Sequence, residues 1–167
     1  MGITVREAQP GDERAVGSLY QALTNDSNVN VNSERISEIA SNNDAFLFVA
    51  ESWGQVVGTA FVTLCPDPMY GHQPFAVIEN IVVDSNYQGG KVGTALMQKI
   101  ESLCYERDCS KIMLLSSVSR NGAHSFFKQL GYVADSKIAF IKYRRQMQPI
   151  ALGTTRHSSG RQTAGAA

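Results

Sequence analysis

Hydrophobic and polar positions along the chain repeat with two different periods, and the switches between them mark out the elements. Residues 3–7 (Ile-Thr-Val-Arg-Glu) alternate and are rich in β-branched side chains, which predicts a first strand. Pro10 and Asp12 then open a helix, because Val16, Leu19, Tyr20 and Leu23 recur at helical spacing. The polar stretch 24–30 reads as a loop, and a short helix begins near Ser33 with Ile36, Ile39 and Ala40 on its buried side. Residues 45–52 and 55–64 are strands meeting at Trp53-Gly54, a hairpin signal. Residues 65–74 hold three prolines, a glycine and His72, and predict an exposed loop before a long strand over residues 75–83. Over residues 89–107, Val92, Ala95, Leu96, Ile100, Leu103 and Cys104 share one face, while Gln98, Glu101, Ser102 and Glu106 share the other. Residues 111–115 predict a buried strand. Ala123, Phe126, Phe127 and Leu130 mark a last helix stopped by Gly131, and residues 132–134 and 138–143 predict two closing strands. The expected order is β-α-α-β-β-β-α-β-α-β-β, a mixed α/β domain over residues 1–145. Residues 146–167, rich in Gly, Ser, Thr, Arg and Ala, read as a poorly packed tail.

Composition narrows the function classes. At 167 residues the chain can bury a full core, and 43% apolar with 18% charged residues reads as globular. The formal net charge is zero. Lys142, Arg144 and Arg145 make only a short basic run, so a nucleic-acid partner is not expected. No apolar run approaches the roughly 20 residues of a membrane span. Met1-Gly2 lacks the Ser or Thr that myristoylation needs, since Arg6 stands there. Cys65, Cys104 and Cys109 have no CxxC spacing, which suits reduced thiols in the cytoplasm, with Cys104 on an apolar helix face.

The candidate chemistry lies where strand 75–83 runs through Asp84-Ser85-Asn86-Tyr87 into Gln88-Gly89-Gly90-Lys91-Val92-Gly93-Thr94, which opens the long helix. Glycines let backbone approach an anion. The first helical turn offers unpaired N–H groups and the positive end of the dipole. Together these form a diphosphate cradle, to which Lys91 can add a charge. A glycine-rich helix start without a ligand is the alternative. The loop is not a nucleotide P-loop, because Val92 follows Lys91 where a magnesium-binding hydroxyl belongs. Nor does it have the dinucleotide spacing, since Gly89, Gly90 and Gly93 do not form G-x-G-x-x-G.

These residues carry a resemblance to the GCN5-related N-acetyltransferases (GNAT), over about residues 3–143. The family pattern is Arg or Gln, two residues, Gly, one residue, then Gly or Ala. Gln88 and Gly93 match it, and Lys91 stands where the middle glycine is usual. A second match runs from Ser119-Arg120-Asn121-Gly122-Ala123-His124-Ser125-Phe126-Phe127 to Leu130-Gly131-Tyr132. Its Arg-x-x-Ala-His form resembles a subgroup acting on small amines, including aminoalkylphosphonate acetyltransferases.

The resemblance implies a GNAT acyl-CoA N-acyltransferase fold, with a central sheet that splays between strands 4 and 5. Acetyl-CoA would lie in that splay as co-substrate, with no metal. Ile81, Val82 and Val83 would pair with the pantetheine arm, and residues 88–94 would hold the pyrophosphate. An N–H near that strand would polarise the thioester carbonyl. Asn121 would touch the pantetheine or nucleotide side. Transfer to a primary amine of a small molecule needs a base, and Glu79 is the candidate catalytic residue. Alternation places it with Val77 and Ile81 unless a bulge intervenes. Apolar surroundings there would raise its pKa. A strand-edge charge or a structural ion pair is the other reading of Glu79. Phe127 occupies the position of the family's thiolate-protonating tyrosine, with Tyr132, Tyr105 and Tyr143 as possible substitutes. His124 fits packing better than substrate contact. His72 and His124 lack the carboxylate spacing of a metal site, and Ser116, Ser117 and Ser119 lack a G-x-S-x-G turn. Direct transfer in a ternary complex is therefore expected. The acceptor is expected between residues 24–32 and the 65–74 loop, where Asp26 and Glu34 could attract a cationic amine. Protein or peptide N-acetylation, and a catalytically weak acyl-CoA-binding module, are the rival readings. Homodimers are common in the family.

Overall fold

The computed structural model describes residues 2–147. Residues 148–167, most of the expected tail, lie outside the described residues. Five strands form one sheet in the order of the chain, β1 (Ile3–Glu7), β2 (Ala45–Ser52), β3 (Gln55–Cys65), β4 (Phe75–Val83) and β5 (Ile112–Leu114). Strands β1 to β4 pair antiparallel, and β4 pairs with β5 in parallel. The helices are α1 (Glu13–Thr24), α2 (Ser33–Ala40), α3 (Val92–Glu106) and α4 (Asn121–Gln129).

The two faces of the sheet are covered by different helices. On one face, Val16 of α1 and Ile36 of α2 pack against Leu47 and Val49 of β2. On the other, Leu96, Met97 and Ile100 of α3 are fully buried against Phe48, Val62 and Ile78, with Phe127 of α4 closing the same core. Each such side chain contributes about 1.5–3 kcal/mol by leaving water. The apolar run of β2 is buried on both faces, and the helical stripe of α3 covers one of them.

Local signals set the helix starts. Asn32 caps α2, its side-chain oxygen accepting from Arg35 N at 2.8 Å. Asp12 precedes α1 but does not cap it through its side chain. Its carboxylate accepts two bonds from the Arg6 guanidinium, at 2.7 and 3.0 Å, and one from Gln9 N at 2.8 Å. Arg6 also donates to Glu51 Oε1 at 2.8 Å, which links β1, β2 and the start of α1. The hydrogen bonds from Arg6 hold the Asp12 carboxyl below the usual carboxylate range, against a smaller opposing effect of burial.

The two closing strands expected at residues 132–134 and 138–143 do not form. Those residues enter no ladder, and Ile138 and Phe140 are 82% and 92% exposed. Alternation is a property of a segment alone, whereas a strand also needs an edge to pair with. The edge available is β5, which is only three residues long. The strand expected over 111–115 is correspondingly shortened, and the long helix begins at Val92 rather than Gly89.

Candidate active site

The site begins with a defect in β4. Thr59 of β3 faces Val82, and Phe61 faces Glu79, so Ala60 alone opposes Asn80 and Ile81. This is a one-residue bulge, and Asn80 takes it up with a left-handed φ of 54°. The bulge reverses which side chains face α3. Before it, Ala76 and Ile78 enter the α3 core, and after it Ile81 and Val83 do so. Strict alternation therefore fails at Glu79. Its side chain and that of Asn80 are exposed, so the apolar surroundings expected for Glu79 are absent.

The same region ends the pairing between β4 and β5. The parallel ladder runs from Ala76–Ile112 to Ile78–Leu114 and stops. Beyond it, β4 continues through Val83 with its β5-side edge in no ladder. The chain of β5 instead leaves toward Ser116 and the start of α4. The result is a breach in the sheet beside Ile81, Val82 and Val83.

The loop after β4 is built to end this strand sharply. Asp84 N donates to Val57 O at 2.9 Å, and Asp84 Oδ1 accepts from Asn86 N at 2.8 Å. A short turn at Ser85–Tyr87 follows. Gly89 has φ 77°, which suits glycine, while a Cβ at Gly90 would stand 3.1 Å from Tyr87 O. Lys91 also has a positive φ, 67°, at the residue just before α3. Gly90 N is engaged with Tyr87 O at 3.2 Å. In contrast, the amides of Val92, Gly93 and Thr94 belong to the first helical turn, where α-helical geometry leaves no partner. No described side chain caps this helix. Three N–H groups and the positive helix end thus lie at the start of α3, one short loop after the unpaired end of β4. The side chain of Val92 is itself buried, so only its amide is available.

Gly93 has a packing role as well. A Cβ there would lie 3.2 Å from Phe126 Cζ, so the bare backbone lets α4 seat against α3.

A cavity of about 370 Å³ opens at this end of β4. Val82, Val83 and Gln88 line it, with Ser18 and Leu23 from α1 and Arg120 from the residue before α4. Gln88 Nε2 donates to Val83 O at 3.3 Å, which draws its side chain toward the strand end. Arg120 forms no ion pair among the described residues. Sequence reasoning named Asn121 and overlooked Arg120, although Arg120 opens the quoted Arg-x-x-Ala-His motif. Asn121 is the first residue of α4 and does not line the cavity.

Other expectations sort themselves by position. His124 Nε2 lies 2.9 Å from Ser117 O and pins the loop before α4, a structural use of the imidazole. Of the chain segments expected to hold the acceptor, the 65–74 loop contributes to a cavity at the other end of α3. Pro66, His72 and Pro74 line a separate space of about 260 Å³ with Arg107, near the far end of α3. Phe127 is buried, and Tyr132 packs edge-on against it at 6.0 Å between ring centres. The Tyr132 hydroxyl is buried without a hydrogen-bond partner among the described residues. Burial, then the nearby Glu101, push its pKa upward. Glu101 sits roughly 14 Å along α3 from the helix start, so Tyr132 is remote from the breach. Tyr105 is 89% exposed in the last turn of α3, and Tyr143 lies in the exposed C-terminal stretch. Burial pushes the Cys104 thiol up to about 12, which makes it core and not nucleophile. Among the described residues, no group of three or more His, Cys, Asp or Glu side chains is placed to hold a metal ion. No described helix is long and apolar enough to cross a membrane.

Comparison with known proteins agrees with this geometry. The model of the acetyltransferase (GNAT) family matches residues 16–132. An aminoglycoside N(6')-acetyltransferase type 1 of Stenotrophomonas maltophilia is 25% identical over 150 residues, covering 89% of this chain and 96% of that protein. A glucosamine 6-phosphate N-acetyltransferase of Trypanosoma brucei brucei is 29% identical over 91 residues, covering 54% of this chain and 60% of that protein. The crystal structure of glucosamine-6-phosphate N-acetyltransferase from Arabidopsis thaliana superposes with a TM-score of 0.73 at 24% identity. It covers 86% of this chain and 99% of that one, and speaks for the fold alone. Fold, breached sheet, Gly-rich helix start and family match converge, and the chain belongs to the acetyltransferase (GNAT) family of N-acetyltransferases.

Proposed function

We propose that this chain transfers the acetyl group of acetyl-CoA to a primary amine of a small molecule, by direct attack in a ternary complex. The observation that carries the reading is the breach between β4 and β5 beside three unpartnered amides at the start of α3. When bound, acetyl-CoA supplies the acetyl group as an activated thioester. The amides of Val92, Gly93 and Thr94 hold its diphosphate, with Gly89 and Gly90 permitting close approach. Lys91 and Arg120 add positive charge on either side, and Gln88 orients the same group. The free edge of Ile81, Val82 and Val83 pairs with the pantetheine amides, and an N–H at the bulge faces the carbonyl oxygen. Glu79, exposed beside the bulge, takes the proton of the attacking amine through water. Asn121, next to Arg120, contacts the pantetheine or nucleotide side. The functional unit is residues 1–145. The unpaired cysteines suit a reducing, cytoplasmic setting.

Relatives acting on aminoglycosides and on glucosamine 6-phosphate support an amino-sugar class of acceptor. Release of free thiol from acetyl-CoA, followed across a panel of amino sugars, polyamines, amino acids and peptides, tests the reading. Amino-sugar-dependent release supports it, and peptide-dependent release alone replaces it with protein N-acetylation. Coenzyme A binding without release for any amine favours a weak acyl-CoA-binding module. Burial of Phe127 where the family has a tyrosine is what speaks for that second reading. A Glu79→Gln variant with unchanged rate at every pH removes Glu79 as the base.

A further inference from the structure

Among the described residues, two buried side-chain oxygens have no hydrogen-bond partner, the hydroxyls of Tyr132 and Ser116. Tyr132 lies away from the breach, whereas Ser116 stands at its edge. The β4–β5 ladder ends at Ile78–Leu114, and two residues further along each chain segment are Asn80 and Ser116. The bulge and this serine are thus at one height on either side of the gap. Burial alternates from Ile112 to Ser116, with Met113 and Leu115 exposed between them. Ser116 therefore shares the α3-side face of Ile112 and Leu114, which Ile81 joins after the bulge and Phe127 helps to cover. Nearby hydroxyls are engaged. Ser117 Oγ and Ser119 Oγ lie 3.0 Å apart, and Ser125 Oγ donates to Asn121 O at 3.1 Å. His124 Nε2, 2.9 Å from Ser117 O, holds the backbone next to Ser116 in place. A buried hydroxyl without a partner costs stability, and the ring of Phe127 offers it no polar atom.

We propose that Ser116 is a catalytic residue, its hydroxyl donating a hydrogen bond to the sulfur of the acetyl thioester as the carbon–sulfur bond breaks. This rests on the acetyl-CoA reading above. There an N–H at the bulge takes the carbonyl oxygen on the β4 side, which leaves the sulfur to the β5 side. A turn about the single side-chain bond of Ser116 swings its covered oxygen toward the gap. In the transfer, the amine nitrogen bonds to the carbonyl carbon, the carbon–sulfur bond breaks, and its electron pair stays on sulfur. The amine's proton passes through water to Glu79. Ser116 keeps its own proton, because an alcohol is a far weaker acid than a thiol, whose ordinary pKa is about 8.5. The thiolate takes a proton from solvent on release. A hydrogen bond to a charged acceptor is stronger than one to a neutral acceptor, so the contact favours the departing thiolate over the intact thioester. Ser116 is not a nucleophile in this scheme and is never acylated.

The test compares the unaltered chain with Ser116→Ala in three measurements. Removing an unpartnered hydroxyl should leave Tm equal or higher. Coenzyme A, titrated calorimetrically from about pH 7 to about pH 9.5, should gain affinity for the unaltered chain as its thiol ionises, and at least about 3-fold less for the variant. Glu79, Lys91, Arg120 and His124, the charged and titratable groups flanking the breach, are common to both proteins and cancel in that comparison. With an amine that gives thiol release, kcat should fall at least about 10-fold in the variant while KM for acetyl-CoA is unchanged. A lower Tm in the variant reveals an internal partner for the hydroxyl and overturns the proposal. Equal coenzyme A affinity of the two proteins at every pH, or an unchanged kcat, overturns it as well and leaves the acetyl-CoA reading standing. Failure of the unaltered chain to bind coenzyme A at any pH overturns that reading and the role of Ser116 with it.

Discussion

Lys91 is the sharpest test of the loop geometry, because its backbone and its charge can be separated. With φ 67° it occupies a left-handed conformation that costs an L-residue about 1–2 kcal/mol. Glycine relieves that strain but loses about 0.5–1 kcal/mol to its greater freedom in the unfolded chain. Lys91→Gly should therefore stabilise the fold by about 0.5–1 kcal/mol, or raise Tm by roughly 2 °C for a chain of this size. Lys91→Ala keeps the Cβ and the strain, so its Tm should sit clearly below that of Lys91→Gly. Both variants lose the ammonium from the positive end of α3. Both should then bind coenzyme A about 3- to 10-fold more weakly at low salt, with the difference shrinking as salt rises. Calorimetric unfolding and titration of the three proteins measure both effects. A Lys91→Gly protein no more stable than Lys91→Ala would refute the strain argument. Equal affinity in all three would remove Lys91 from the phosphate site.

Three further outcomes follow from the same structure. Asp12→Asn should cost about 2 kcal/mol by breaking the paired hydrogen bonds to Arg6, a figure tempered by partial solvent exposure. Because the folded-state pKa of Asp12 is depressed, its stabilisation is full above the unfolded value near about 4 and fades as pH falls through the folded value. The gap in urea midpoint between the two proteins should accordingly narrow as the pH is lowered from 5 toward 2. Gly93→Val forces side-chain atoms into Phe126 and should destabilise by about 1–3 kcal/mol, read as a lower urea midpoint. Arg120→Ala, at an exposed position, should leave Tm within about 1 °C while weakening coenzyme A binding at least about 5-fold. Unchanged affinity would exclude Arg120 from the site.

Most of the fold was legible because its elements are set by local periodicity. The helical stripe from Val92 to Cys104 and the alternation of β1 needed nothing beyond their own sequence to be seen. The glycine-rich start of α3 was legible for a similar reason, since strand, glycines and helix start are contiguous. What escaped was non-local. The bulge at Asn80 depends on how Ala60 of a neighbouring strand is opposed, so the sequence left it open as an alternative at Glu79 without fixing it. Its parity switch is what turns Ile81 and Val83 toward α3 and takes Ile81 off the face of Glu79. Arg120 escaped because it joins Gln88 at one cavity only in the folded chain, from about thirty residues away in the sequence. The closing strands at 132–134 and 138–143 failed because a pattern specifies which side chains share a face, not whether an edge will receive them.

The end of the β4–β5 ladder at Ile78–Leu114 has a consequence for how quickly a ligand can arrive. A gap that opened only on encounter would require hydrogen bonds between adjacent strands to be broken first, and the on-rate would carry that barrier. Here the β4–β5 ladder already stops at Ile78–Leu114, so no inter-strand bonds beside Ile81, Val82 and Val83 would have to break, and the proposed co-substrate would dock into a preformed slot.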